Sequence, residues 1–215
     1  MMMLRTFLNV SVALVALSGA ALVSAAPAGE TAAAMLARLE AAPAGLPAVR
    51  DEGRKAAFFC ANCHGETGVS RYPEVPNLAG QNPVYVLNQI EAFLSGKRKD
   101  PFMQGLMKVL SEHDKAAISL YYASEPVTPV AQPGARAAEG AALYAKLCAR
   151  CHQDDARGGE AFPRLAGQQR EYLRISLNRY LKQSGERFYA PMTAAVMQLG
   201  ESNIDAVADH LAALK

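Results

Sequence analysis

The sequence predicts an all-α chain made of two tandem copies of one helical unit. Three observations predict it. The pentapeptide Cys60-Ala61-Asn62-Cys63-His64 returns as Cys148-Ala149-Arg150-Cys151-His152, and a string of further residues recurs behind each. Apolar residues follow a helical period, and no strand alternation competes with it. The 215 residues, 51% hydrophobic and with a net charge of +2, suit one or two globular domains. Lys and Arg are scattered rather than clustered, so the charge gives no sign of a nucleic-acid partner, and none is expected.

Residues 1–25 have the form of an export signal. Arg5 precedes an apolar run from Phe7, and small residues follow at Val23-Ser24-Ala25, so cleavage is expected near Ala25. The competing reading, an uncleaved anchor, is disfavoured by the Asn, Ser and Gly content of the run. No later stretch is long and apolar enough to span a membrane. Residues 26–47 form an Ala-rich extension outside the repeat, in which Ala32 to Ala41 suit one helix. Nothing in them separates a partner contact from peripheral membrane association.

The repeat spans about 88 residues and sets the first domain at 48–126 and the second at 134–215. Pro76-Asn77-Leu78-Ala79-Gly80-Gln81 matches Pro163-Arg164-Leu165-Ala166-Gly167-Gln168. Tyr85 matches Tyr172 and Phe93 matches Tyr180, while Arg98 with Met103 matches Arg187 with Met192. Between the domains, residues 127–133 form a Pro-rich, extended linker. Within the first unit a helix should enter the cysteine pair from about Asp51, and another should start at Asn82-Pro83 and stop at Gly96. Ser111-Glu112-His113-Asp114 reads as the capping box of a last helix. The second unit repeats the plan from Ala138, with Gly185 as its stop.

All four cysteines lie in the two pentapeptides, and each pair is followed at once by His. That pattern suits covalent haem attachment: two thiols add across the porphyrin vinyl groups, and the adjoining His supplies an axial nitrogen. A thioredoxin-like dithiol would want a βαβ setting, and zinc a fourth ligand in each unit. Two disulfides are the remaining alternative, outweighed by the recurrence of the motif in a duplicated helical domain of an exported chain. Two haem c groups, held by Cys60, Cys63, Cys148 and Cys151, are therefore expected, with His64 and His152 on the irons. They enlarge the apolar core of domains too small to be comfortable alone, so the apo-chain should fold poorly.

The sixth ligand separates a carrier from a catalyst. Met103 and Met192 lie 39 and 40 residues after His64 and His152, each five residues after an Arg and seven before a Leu, in what reads as a loop. A thioether ligand raises the potential. Met107 and Met197 are out of register and read as packing residues. His113 and His210 do not recur between the units and read as structural.

These duplicated motifs resemble the cytochrome c4 family, dihaem class I cytochromes c of bacterial periplasms. The resemblance implies two packed cytochrome c folds with haem edges near their interface. It also implies that the Pro76 and Pro163 carbonyls accept from Nδ1–H of His64 and His152. Arg98 and Arg187 would offset haem propionates, with ordinary solvated arginines as the alternative. One departure stands out. Gly140 and Tyr144 fit a close crossing of first and last helices, whereas the first unit has Glu52 and Ala56 at those offsets and Gly53 slipped by one. A shifted crossing is expected there.

The expectation is an exported, periplasmic electron carrier and not an enzyme. The resemblance suggests a quinol-oxidising complex upstream and a terminal oxidase downstream, met by weak, transient docking. The alternatives are a dihaem subunit of a periplasmic dehydrogenase, such as flavocytochrome c sulfide dehydrogenase, and a peroxidase-like haem enzyme. Two well-placed methionines argue against the enzyme.

Overall fold

The structure is a computed structural model that describes residues 29–128 and 134–215. The expected signal segment with its cleavage point at Ala25, and linker residues 129–133, lie outside the described residues. The N-terminal extension holds α1 (Ala32–Glu40), and the first repeat unit follows with α2 (Leu46–Ala56), α3 (Ala61–His64), α4 (Pro83–Leu94), α5 (Pro101–Met107) and α6 (Glu112–Ser124). The second holds α7 (Ala137–Leu147), α8 (Ala149–His152), α9 (Arg170–Leu181), α10 (Ala190–Leu199) and α11 (Ile204–Ala213). Among the described residues the only extended pairing is one antiparallel bridge, Arg98 to Arg187, between the domains. No helix among them is long and apolar enough to cross a membrane.

The helix boundaries follow local chemistry. Pro83 opens α4 because its missing N–H falls where a helix has no partner for one. Gly96, at φ 73°, turns the chain away after α4. Ser111 Oγ accepts from Asp114 N–H while the Asp114 carboxylate accepts from Ser111 N–H, a complete capping box on α6.

Each domain is organised by one crossing of its entry and exit helices. At α2 on α6, a Cβ on Gly53 would overlap the carbonyl of Ala117; at α7 on α11, one on Gly140 would overlap the carbonyl of Ala206. The crossing is thus kept in both domains, contrary to the shift expected for the first. The one-residue difference in spacing is absorbed after the crossing: α2 ends at Ala56 and a turn leads to Cys60, whereas α7 continues to Leu147, directly before Cys148.

The tyrosine that ties this crossing to the following loop comes from opposite helices in the two domains. In the second, Tyr144 of α7 donates to Gln153 O at 2.5 Å and its ring packs on His210 of α11. In the first, Tyr121 of α6, at the His210 position, donates to Glu66 O, and buried Ala57 stands on the entry side.

The N-terminal extension folds onto the first domain. Thr31 caps α1, and Ala32, Met35 and Leu36 are buried against Val49, Leu87, Ala116 and Leu120. Burying two side chains of that size contributes about 1.5–3 kcal/mol each. The N–H of Ala32 donates to Glu112 Oε2 at 2.6 Å, and Lys115 Nζ reaches Glu112 at 2.6 Å and Glu91 at 3.0 Å.

Candidate haem-binding site

The two pentapeptides each wind into one helical turn. His64 N–H and Cys63 N–H donate to Cys60 O at 2.9 and 3.2 Å; His152 and Cys151 repeat this on Cys148 O at 3.0 and 3.1 Å. Residues three and four apart share one side of such a turn, so both thiols and the imidazole point to a common side. Burial raises the Cys60 thiol and pushes Cys148 up to about 11. That is the reverse of the depressed value that thiol–disulfide exchange needs.

Both imidazoles are buried, and burial holds each below the ordinary histidine value and so neutral. His64 Nδ1 lies 2.8 Å from Pro76 O, and His152 Nδ1 lies 3.1 Å from Pro163 O. A carbonyl only accepts, so Nδ1 carries the proton and Nε2 keeps its lone pair for a metal.

Met103 and Met192 do not sit in loops, as the sequence suggested, but in the first turns of α5 and α10. The reason is local in α5: Asp100 Oδ1 accepts from Met103 N–H at 3.0 Å, and Pro101 occupies the first helical position. In α10 Pro191 stands in the first turn. Met103 is partly buried against Val86, Ile90, Phe93 and Met107. Met107 is a buried core residue, and Met197 is exposed. His113 pairs with Glu52 at the surface at 3.1 Å.

Arg98 and Arg187 meet where the domains join. Arg98 stacks on Phe93 of α4 and Arg187 on Tyr180 of α9. Tyr172 Oη accepts from Arg98 Nη2 at 3.1 Å and from Arg187 Nη1 at 2.8 Å, and Arg187 Nη2 also donates to Tyr85. Burial opposes ionisation of Tyr172, but the two guanidiniums outweigh it and lower this phenol to about 7. Among the described residues neither guanidinium has a carboxylate within 4.0 Å. Two confined cations without a carboxylate partner among the described residues suit an incoming anion.

The repeated Pro-x-Leu-Ala-Gly-Gln loops also meet at this boundary. Gln168 and Gln81 are buried, and each side chain bonds the backbone of the opposite loop. The sequence offered no sign of this, because a repeated motif does not say that its copies touch.

The donor set fits a covalently held haem in each domain. Two thiols share a helical turn with a buried imidazole whose Nε2 keeps its lone pair, a methionine stands in the first turn of α5 and of α10, and the guanidiniums of Arg98 and Arg187 have no carboxylate partner among the described residues. Thr193, next to Met192, adds a buried hydroxyl that has no hydrogen-bond partner among the described residues.

The cytochrome c family model matches residues 137–215. Cytochrome c4 of Thiocapsa roseopersicina is 30% identical over 174 residues, covering 74% of this chain and 89% of that protein. The chain belongs to the cytochrome c4 family. It is accordingly a dihaem electron-transfer cytochrome with two covalently bound haem c groups, and its attachment motifs are those at residues 60–64 and 148–152. The thiosulfate dehydrogenase electron acceptor of Thiomonas intermedia is 32% identical over 191 residues, covering 80% of this chain and 84% of that protein. The solved cytochrome c4 of Acidithiobacillus ferrooxidans superposes with a TM-score of 0.67 at 30% identity, covering 72% of this chain and 98% of that one. The family fold is two tandem cytochrome c domains, in keeping with the helical duplication described above.

Proposed function

We propose that this member of the family is a mobile carrier with two one-electron sites, exported to the periplasm after cleavage near Ala25, and not an enzyme. The observation that supports the reading is that each domain has a buried imidazole with Nδ1 on a proline carbonyl and a methionine in the first turn of the equivalent helix. His64 with Met103, and His152 with Met192, are the proposed axial pairs, leaving neither iron open to a substrate.

Bound haem c supplies one iron per domain that takes up and releases a single electron. The chain does the rest. Cys60, Cys63, Cys148 and Cys151 tether the group; the Pro76 and Pro163 carbonyls orient the imidazoles; Arg98 and Arg187 hold the propionates. Residues 48–126 and 134–215 are the proposed domains, with 127–133 joining them. With both ligands of each iron supplied by the chain, little would have to rearrange when an electron arrives.

The proposed route runs from a quinol-oxidising complex to a terminal oxidase through brief docking. A second reading is favoured by the Thiomonas relative, whose name makes it an electron acceptor of a dehydrogenase. In that reading the donor is a periplasmic dehydrogenase, to which this chain docks or belongs as a dihaem subunit. The test of the common core is the visible spectrum of the dithionite-reduced protein with and without carbon monoxide. An unchanged spectrum is expected. A shift at either haem overturns the six-coordinate assignment and returns a ligand-binding or catalytic function to consideration. Co-purification of a flavin- or haem-containing dehydrogenase separates the two routes.

A further inference from the structure

We propose that Gln168 and Gln81 are positioning residues through which each domain sets the basicity of the proximal histidine in the other. The inference rests on the proposed ligation by His64 and His152.

The geometry is reciprocal. Gln168 Oε1 accepts from Asn77 N–H at 2.7 Å, and Gln168 Nε2 donates to Asn77 O at 3.0 Å. Gln81 Oε1 accepts from Arg164 N–H at 2.7 Å, and Gln81 Nε2 donates to Arg164 O at 2.9 Å. Because the partners are a backbone donor and a backbone acceptor, the orientation of each side-chain amide is fixed. A bond within its own loop steadies each glutamine further: Gln169 N–H donates to Gln168 Oε1 at 2.9 Å, and Asn82 N–H to Gln81 Oε1 at 3.0 Å.

The consequence lies in which peptide group is gripped. The N–H of Asn77 and the C=O of Pro76 belong to one amide plane. That carbonyl faces His64 Nδ1 at 2.8 Å, while its N–H is held by Gln168 of the second domain. The Pro163–Arg164 amide repeats the arrangement between His152, at 3.1 Å, and Gln81 of the first domain. Donating its N–H polarises an amide and makes its oxygen a stronger acceptor, an effect of about 10–30% per bond in hydrogen-bonded chains. A stronger acceptor at Nδ1 makes the imidazole a more basic ligand. A more basic ligand favours ferric iron and lowers the potential. One amide therefore lies between each proximal histidine and the facing domain.

The relay is crossed, and the test exploits that. In the full-length holoprotein, the midpoint of each haem is followed by NMR of haem methyl signals assigned to its domain. Gln168→Leu should raise the first-domain potential, shifting its ferric-to-ferrous ratio at fixed potential about threefold. At 59 mV per tenfold for one electron that is about 28 mV. The second-domain haem should move far less. Gln81→Leu should do the converse. In the reduced protein the Nδ1–H resonance of the affected histidine should move with its own haem. Gln168→Glu keeps an acceptor for Asn77 N–H and should give no rise in the first domain. If both haems shift alike in each leucine variant, or if the glutamate variant rises as the leucine variant does, the glutamines merely hold the interface and the proposal is overturned. If the parent protein shows no Nδ1–H signal from a haem-bound histidine, it is the ligation that fails and not the relay.

Discussion

The groove between α4 and α6 in the first domain and the groove between α9 and α11 in the second are the same place in the repeat, finished in opposite ways. The first has Leu87 and Ala116 in its floor and is covered by α1. The second has Arg174 and Asp205 at the equivalent positions, with Asn178, Arg179, Lys182 and Glu201 around them, and stands open. Its charges are paired locally: Arg174 with Glu171 at 2.5 Å, Arg179 with Glu186 at 3.2 Å, Lys182 with Glu201 at 3.6 Å. The attachment turns and the histidine–proline carbonyl bonds of both domains are alike, so haem attachment does not dictate this surface. What dictates it is whether a further segment of chain covers the groove, since an apolar floor left in water would be an exposed patch.

The comparison can be broken most forcefully by untethering one haem at a time. Cys60→Ala with Cys63→Ala, and Cys148→Ala with Cys151→Ala, should each halve the haem content measured as pyridine haemochrome. The second pair should cost more helical signal in circular dichroism, because the first domain retains α1 and its apolar cluster. Equal losses would mean that α1 adds nothing without haem. The next effect should be symmetric. Gly53→Ala and Gly140→Ala both drive a methyl into a backbone carbonyl and should each destabilise their own domain by about 3 kcal/mol, read as an earlier thermal transition. A much milder effect at Gly53 would mean that the first crossing is looser than its geometry.

Smaller changes sharpen the contrast between the grooves. Leu36→Ala should cost the first domain about 2.5 kcal/mol and leave the second unchanged in domain-resolved unfolding. Arg174→Ala, at the position facing α1's counterpart groove, should cost less than about 0.5 kcal/mol, since its partner is a surface carboxylate. Acid should act in the same direction as Leu36→Ala but more weakly. The hydrogen bond from Lys115, with that from Ala32 N–H, holds Glu112 below the ordinary carboxylate value. A depressed carboxylate stabilises fully above its unfolded value and loses that contribution as pH falls through the folded one. Below about pH 4 the amides of α1 should therefore exchange faster, while those of α11 should not.

Much of this molecule was legible in its residues. The duplication, the two attachment turns, the capping box at Ser111 and the helix bounded by Pro83 and Gly96 all depend on interactions within a few residues. The helix expected from Ala32 to Ala41 forms over Ala32–Glu40, but what it packs against was not legible, because Leu87 and Leu120 are distant in sequence. The methionines were misread as loop residues: Asp100-Pro101 is a helix start, and its signal was overshadowed by the glycine before it. The slipped glycine misled because spacing was counted to the cysteine, whereas the constraint acts on the carbonyl of Ala117. The roles of Gln81 and Gln168 depend on how two copies of one loop face each other, which no local pattern encodes.

The tyrosines at the two crossings bear on how such a chain can change over time. Tyr121 and Tyr144 do one job from opposite partners of a helix pair. Moving the entry helix of one domain into the other would either place two rings in one space or leave none there. Recombination between the halves is therefore viable only when entry and exit helices travel together. The heritable module of this duplicated protein is the crossed pair, although its two members are separated by most of a domain's sequence.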